Sequence, residues 1–237
     1  MTNLYVYAIV DRASFEALLL IGQDEAPVFA LACGDFFLAV SSIDRSSLEP
    51  LPAHVWRHEQ VLNLLMTDHA VLPLRFGTIA RDQTLLLADL LPRQSQLRKD
   101  LTRLDGKVEV ALRLSGHTLL QTRPQPVEDH ALNQGAAYLR ARQQSLCGSD
   151  ALQLSVHSVK IQINTELDAM IVDRVWPSSE PQILPLKASF LIHREDLDAF
   201  VQAAERIAAR NLGVRVSCTG PWAPYSFVGL SKGQSIA

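Results

Sequence analysis

Two hydrophobic periods take turns along this chain, and a chain patterned that way folds as a mixture of helix and strand. Leu197, Phe200, Val201, Ala204, Ile207 and Ala208 recur at helical spacing, with Glu195, Asp198, Gln202, Glu205, Arg206 and Arg210 opposite. Just past Gly213 the period drops to two, Val214, Val216 and Cys218 alternating with Arg215, Ser217 and Thr219. Val108, Val110, Leu112 and Leu114 alternate in the same way with Lys107, Glu109, Ala111 and Arg113. Between them, residues 134–167 are predicted helical, with a weak point at Gly148-Ser149-Asp150. Residues 169–175 and 186–192 are predicted strands, separated by a proline-rich loop over 177–185. The order is β-α-β-β-α-β.

The first half predicts the same order. Every position from Leu4 to Val10 is apolar or aromatic, as in a strand covered on both faces. Asp11 and Ser14 are caps for a short helix through Leu20 that stops at Gly22. Residues 28–33 and 36–40 form a hairpin around Gly34-Asp35. Residues 53–68 form a helix with Val55, Leu62, Leu65 and Met66 on one face, and residues 70–76 an edge strand interrupted by Pro73. A helical stretch over 82–105 is broken at Pro92, or a second helix opens there with the proline in its first turn, and Gly106 stops it. The fold class expected is α+β in two domains. Residues 1–105 form the first, with an added helical segment, and residues 106–237 the second, with a C-terminal aromatic and proline-rich tail. Each is a ferredoxin-like (βαββαβ) or modified ferredoxin-like sheet with helices on one face.

Composition narrows the function. With 22 Lys and Arg against 25 Asp and Glu, the net charge is −3 and there is no basic footprint for nucleic acid. Cys33, Cys147 and Cys218 are sparse and unpaired in spacing, which reads as reduced thiols of a cytoplasmic protein. No apolar run reaches the roughly 18 residues a membrane span needs, and the first residues carry no basic leader.

Catalytic patterns are scarce. His54 and His58 lie four apart, yet the His-Glu-x-x-His order is absent, and two histidines on the polar side of an amphipathic helix explain them better than a metal. No serine sits in a Gly-x-Ser-x-Gly elbow, and no cysteine has an activating context. Ser226, between Tyr225 and Phe227, suits a strand on an apolar surface. The stretch Gly229-Leu-Ser-Lys-Gly233 lacks P-loop spacing and suits a flexible end.

Two segments stand out. In Leu72-Pro-Leu-Arg-Phe-Gly-Thr78, Arg75 sits among apolar neighbours and, if buried, requires a carboxylate or carbonyl partner; Glu59 and Asp82 are candidates, a bound anion the alternative. In Thr219-Gly-Pro-Trp-Ala-Pro-Tyr-Ser-Phe-Val228, two prolines stiffen a piece expected to leave the sheet extended. It presents Trp222, Tyr225 and Phe227 to apolar surface, as a strap joining the modules or an anchor for another protein.

These segments resemble hallmarks of the gas vesicle GvpF/GvpL family. So, in order, do Leu4-Tyr-Val-Tyr-Ala-Ile-Val10, His58-Glu-Gln-Val-Leu62, Leu104-Asp-Gly-Lys-Val-Glu109 and Gly135-Ala-Ala-Tyr-Leu-Arg-Ala-Arg142. Gln60 and Ala223 depart from the family's commoner Arg and Pro. The resemblance implies a non-enzymatic accessory or minor structural protein, without catalytic residues, metal or cofactor, located in the cytoplasm at the gas vesicle. Its expected partner is the hydrophobic principal shell protein, with other gas vesicle accessory proteins also candidates, and neither nucleic acid nor membrane. Such a protein is expected to support vesicle assembly by preventing premature aggregation of that shell protein. Arg75, Phe76, Trp222, Tyr225 and Phe227 are the candidate interaction or interdomain residues. The alternatives are an enzyme or small-ligand-binding regulator on a ferredoxin-like scaffold, or a wall component with no chaperoning role.

Overall fold

A computed structural model describes residues 2–15, 20–116, 155–176, 186–211 and 214–229. The chain divides into two compact units. Among the described residues, one runs to Glu109 and includes residues 220–229; the other lies within Val110–Thr219. The closing segment, grouped with residues 106–237 on sequence, therefore belongs with the first unit.

In the first unit an antiparallel sheet has the order β2-β3-β1-β4, with β5 also on β1. The strands are β1 (Asn3–Val10), β2 (Val28–Cys33), β3 (Phe36–Ile43), β4 (Val71–Pro73) and β5 (Ile79–Ala80). The all-apolar run becomes the central strand: Tyr5 to Val10 are fully buried, as a strand covered on both faces must be. Cys33 pairs with Phe36 across the expected two-residue turn. β4 ends at Pro73 and is shorter than predicted, although the next amide, Leu74, still donates to the Tyr7 carbonyl at 2.9 Å. The predicted helix through Leu20 falls partly on residues 16–19, outside the described residues.

Helix α1 (Pro52–Leu65) opens with proline in its first turn, where the missing N–H costs nothing. It buries His58, Val61, Leu62 and Leu65, an i, i+3, i+4, i+7 stripe. Helix α2 (Gln83–Leu90) is capped by Asp82, whose carboxylate accepts from the Thr84 and Leu85 amides at 2.7 and 3.2 Å. A short turn containing Pro92 then leads to α3 (Gln94–Leu104), which buries Leu97, Leu101, Leu104 and Asp100. The break stands where the proline predicts it.

The second sheet has the order β7-β8-β6-β9, with β6 (Lys107–Gly116), β7 (Ile171–Val175), β8 (Leu186–His193) and β9 (Val214–Trp222). Residues 155–166 form α4, and Leu197–Arg210 form α5. α5 buries Phe200, Ala203, Ala204 and Ile207, the stripe read from its sequence. Phe190 of β8 lies between Phe200 and Trp176, at ring separations of 5.8 and 5.6 Å. Asn211 closes α5 by donating to the Ile207 carbonyl at 2.7 Å and to Gln162 of α4 at 2.8 Å.

β9 differs from its prediction. It continues through Gly220 and Pro221 to Trp222, because it is a terminal strand in the sheet order and a proline there leaves inner ladder bonds intact. The predicted helical residues 134–154, Cys147, the 177–185 loop, Gly213 and residues 230–237 lie outside the described residues.

Phe200→Ala removes a fully buried ring between α5 and β8. The expected cost is about 3–5 kcal/mol of stability, read as a lower urea midpoint for the second unit.

Candidate functional site

The helical stripe that buries Leu62 and Leu65 also turns His58 inward, so a titratable ring lies fully buried in the first unit's core. His58 does not sit on the polar side of α1, as its composition suggested; His54, half-buried one turn earlier, does not share that pocket. The His58 ring stacks on Tyr7 at 5.6 Å and meets Tyr5 and Phe76 edge-on at 5.7 and 5.9 Å. Tyr5 and Tyr7 reach it together because residues two apart on β1 share a face.

Both ring nitrogens are matched. Tyr5 Oη lies 3.0 Å from Nδ1, and Tyr225 Oη, from the closing segment, lies 3.0 Å from Nε2. Tyr225 donates to Glu59 Oε1 at 2.9 Å. Its one hydrogen being used, the hydroxyl accepts from Nε2–H, so Nδ1 of the neutral ring accepts from Tyr5. Tyr5 in turn accepts from the Gly77 amide at 3.0 Å. The result is a directed chain: Gly77 N–H to Tyr5, Tyr5 to His58, His58 to Tyr225, and Tyr225 to Glu59.

Burial sets the charges. It pushes the His58 pKa down to about 4, outweighing the backbone of Leu74, which acts the other way. Burial raises Glu59, and the hydrogen bond from Tyr225 only partly offsets that. Glu59 Oε2 has no hydrogen-bond partner among the described residues. Tyr5, Tyr7 and Tyr225 are also raised by burial.

Further bonds seat the closing segment. Ser226 donates through its amide and its hydroxyl to the two oxygens of the buried Glu109 carboxylate, at 2.8 and 2.7 Å. Arg103 donates to the Phe227 carbonyl and also bonds buried Asp100. Ala223 is fully buried in the same cluster as Tyr5 and Tyr7, with Phe76 and Tyr225 packed against it. Gly220 allows the entry: its φ is +134°, and a Cβ there would stand 2.9 Å from the Glu109 carbonyl oxygen.

The five candidate residues thus separate. Phe76 and Tyr225 meet around His58, and Phe227 is buried beside them in the chain. Trp222 is half-buried at the end of β9. Arg75 is exposed, so it is not the buried charge that would require an internal partner; its backbone carbonyl accepts from Thr78. Glu59 serves Tyr225 and Asp82 caps α2. Ser226 is exposed and lies in a tight helical turn, not a strand. Sequence reasoning missed His58, Glu59, Glu109 and Tyr5 as members of one site. The signal for His58 was present, since it precedes Leu62 and Leu65 by four and seven residues. Nothing local signals its link to Tyr225, 167 residues away.

Chemically the site positions protons and holds a segment. Cys33 is buried and Cys218 is raised to about 11 by burial, which disfavours a reactive thiolate at either. Among the described residues no three His, Cys, Asp or Glu side chains are placed to share a metal ion, and no helix is long and apolar enough to cross a membrane.

Residues 3–229 match the family described as gas vesicle synthesis protein GvpL/GvpF. Gas vesicle protein L of Streptomyces sp. (strain CB03234) is 30% identical over 91% of this chain and 84% of its own length. Gas vesicle protein F of the same strain is 31% identical over 94% and 98%. The crystal structure of the gas vesicle protein GvpF from Anabaena sp. PCC7120 superposes with a TM-score of 0.76. It covers 99% of this chain and 98% of that one at 23% identity, a likeness of fold.

Tyr225→Phe keeps the ring but strands His58 Nε2–H and a Glu59 oxygen. The expected loss is about 1–3 kcal/mol, measured by urea denaturation of the first unit. Gly220→Ala is expected to destabilise that unit too, through strain at a positive φ and contact with backbone.

Proposed function

This chain belongs to the GvpL/GvpF family of gas vesicle synthesis proteins, and from that membership we propose that it acts by binding rather than catalysis. It works in the cytoplasm at the growing vesicle, taking up the hydrophobic principal shell protein and keeping it from aggregating before it joins the wall. Other gas vesicle proteins are further partners. The observation that carries this reading is the family match over nearly the whole chain. The physical need is general: a subunit with a large apolar face and open strand edges self-associates unless something covers them.

We read the second unit, β6-α4-β7-β8-α5-β9 in the order β7-β8-β6-β9, as the ferredoxin-like arrangement. Its terminal strand β7 carries Val172 and Val175 with 45 and 43% of their surface exposed, which suits strand addition by an apolar partner. Phe227 is buried and the half-buried Phe76 and Tyr225 are engaged with His58, so exposed Arg75 and half-buried Trp222 are the candidate contacts outside that site.

Co-expression tests the proposal. With this protein present, the shell protein is expected in the soluble fraction and in pull-downs. Trp222→Ala, folded by circular dichroism, is expected to weaken capture several-fold. An unchanged insoluble fraction with and without this chain, or shell protein that never co-purifies, would remove the proposed role.

A further inference from the structure

We propose that the line Tyr5–His58–Tyr225–Glu59 is a proton-operated latch: it holds residues 223–228 on the first unit while His58 is neutral and releases them when His58 takes a second ring proton. The geometry gives the line one polarity. Nδ1 accepts from Tyr5, so a proton added there turns an acceptor into a donor aimed at a donor. The Tyr5 oxygen must then hold two incoming N–H groups, from Gly77 and His58, and its own hydrogen has to leave the line. The new charge sits at a fully buried position between the face of Tyr7 and the edge of Phe76.

What yields is set by how each wall is held. β1 is the central strand, and α1 is a continuous helix. Residues 223–228 are a bend and a three-residue turn outside the sheet ladder; Ala223, Phe227 and Val228 are buried, but the polar bonds that seat the segment on the unit run through side chains, and Tyr225 is the group that covers Nε2. Segments held in this way open before core strands do.

The ionisable groups around His58 are few. Tyr5 and Tyr7 face it from β1, Glu59 neighbours it on α1, and Tyr225 faces it from the closing segment. Glu109 of β6 acts on Tyr225, while Arg57 and Asp24 act on Tyr7; the stretch Leu74–Gly77 adds backbone and the ring of Phe76. The sign follows from linkage. His58 titrates near 4 when covered and near 6.5 when free, so the open form binds the proton first and the latch weakens as pH falls through that window. Glu59, raised by burial, opposes this in its own window, because the closed form holds its proton to higher pH. With the His58 values alone, opening increases about 20-fold between pH 7 and pH 5.

Amide hydrogen exchange on the full chain reads this directly, using Tyr225, Ser226 and Phe227, whose amides are all bonded in the closed form. Their protection factors are expected to fall from pH 7 to pH 5 by up to about 20-fold, the limit that His58 alone sets, while amides of β1 stay constant. Histidine ring nitrogen NMR is expected to show His58 protonated on Nε2 and bare on Nδ1 at pH 7. Glu109→Gln is expected to keep the fall, and Glu59→Gln, which removes the opposing titration, to deepen it. Flat protection over this range, the opposite tautomer, or loss of the fall in Glu109→Gln would overturn the latch. The wild-type series alone decides the matter if a variant fails to fold.

Discussion

A neutral imidazole with no access to water needs a partner at each nitrogen, and the first unit is arranged around meeting that need at His58. The central strand provides one partner, Tyr5. The other, Tyr225, comes from the last described stretch of the chain. Leaving either nitrogen unmatched in the core costs more than the bond itself returns. The closing residues are therefore part of the first unit's interior, and Ala223 and Phe227 are buried as core residues are.

The path of the chain makes this possible. It leaves the first unit at Glu109 and returns at Gly220, on neighbouring strands β6 and β9. Glu109 meets the returning segment with a carboxylate whose oxygens both accept from Ser226. A buried acid matched in this way is tolerable where an unmatched one is not. One step on, Arg103 donates both to the Phe227 carbonyl and to buried Asp100. For a gas vesicle synthesis protein, the aromatic ending that first suggests a sticky surface is largely spent on internal closure. Trp56 and Leu64, exposed on α1, are apolar surface of a different kind, outside that closure.

Much of the fold was legible in the sequence because burial writes a period. The unbroken apolar run of β1, the α5 stripe, the Gly34-Asp35 turn and the break at Pro92 each have a local cause and each stands where that cause puts it. The site was legible only in pieces. Tyr225 and Phe76 stood out as aromatics beside prolines and glycines, whereas Glu109 looked like the outward member of an alternating strand and His58 like a surface histidine. Arg75 drew attention for its apolar neighbours, yet Leu72 and Leu74 are buried on their own account and Arg75 itself is exposed.

What the sequence determined by itself, then, is the α+β class, the order of most of the described elements and the family to which the chain belongs, because periodicity and motif are properties of neighbouring residues. Tertiary structure alone decided that the ending closes onto the first unit and that His58 is buried and neutral. Those outcomes depend on side chains more than a hundred residues apart meeting in one dry pocket, and no local pattern encodes which polar group will answer another across that distance.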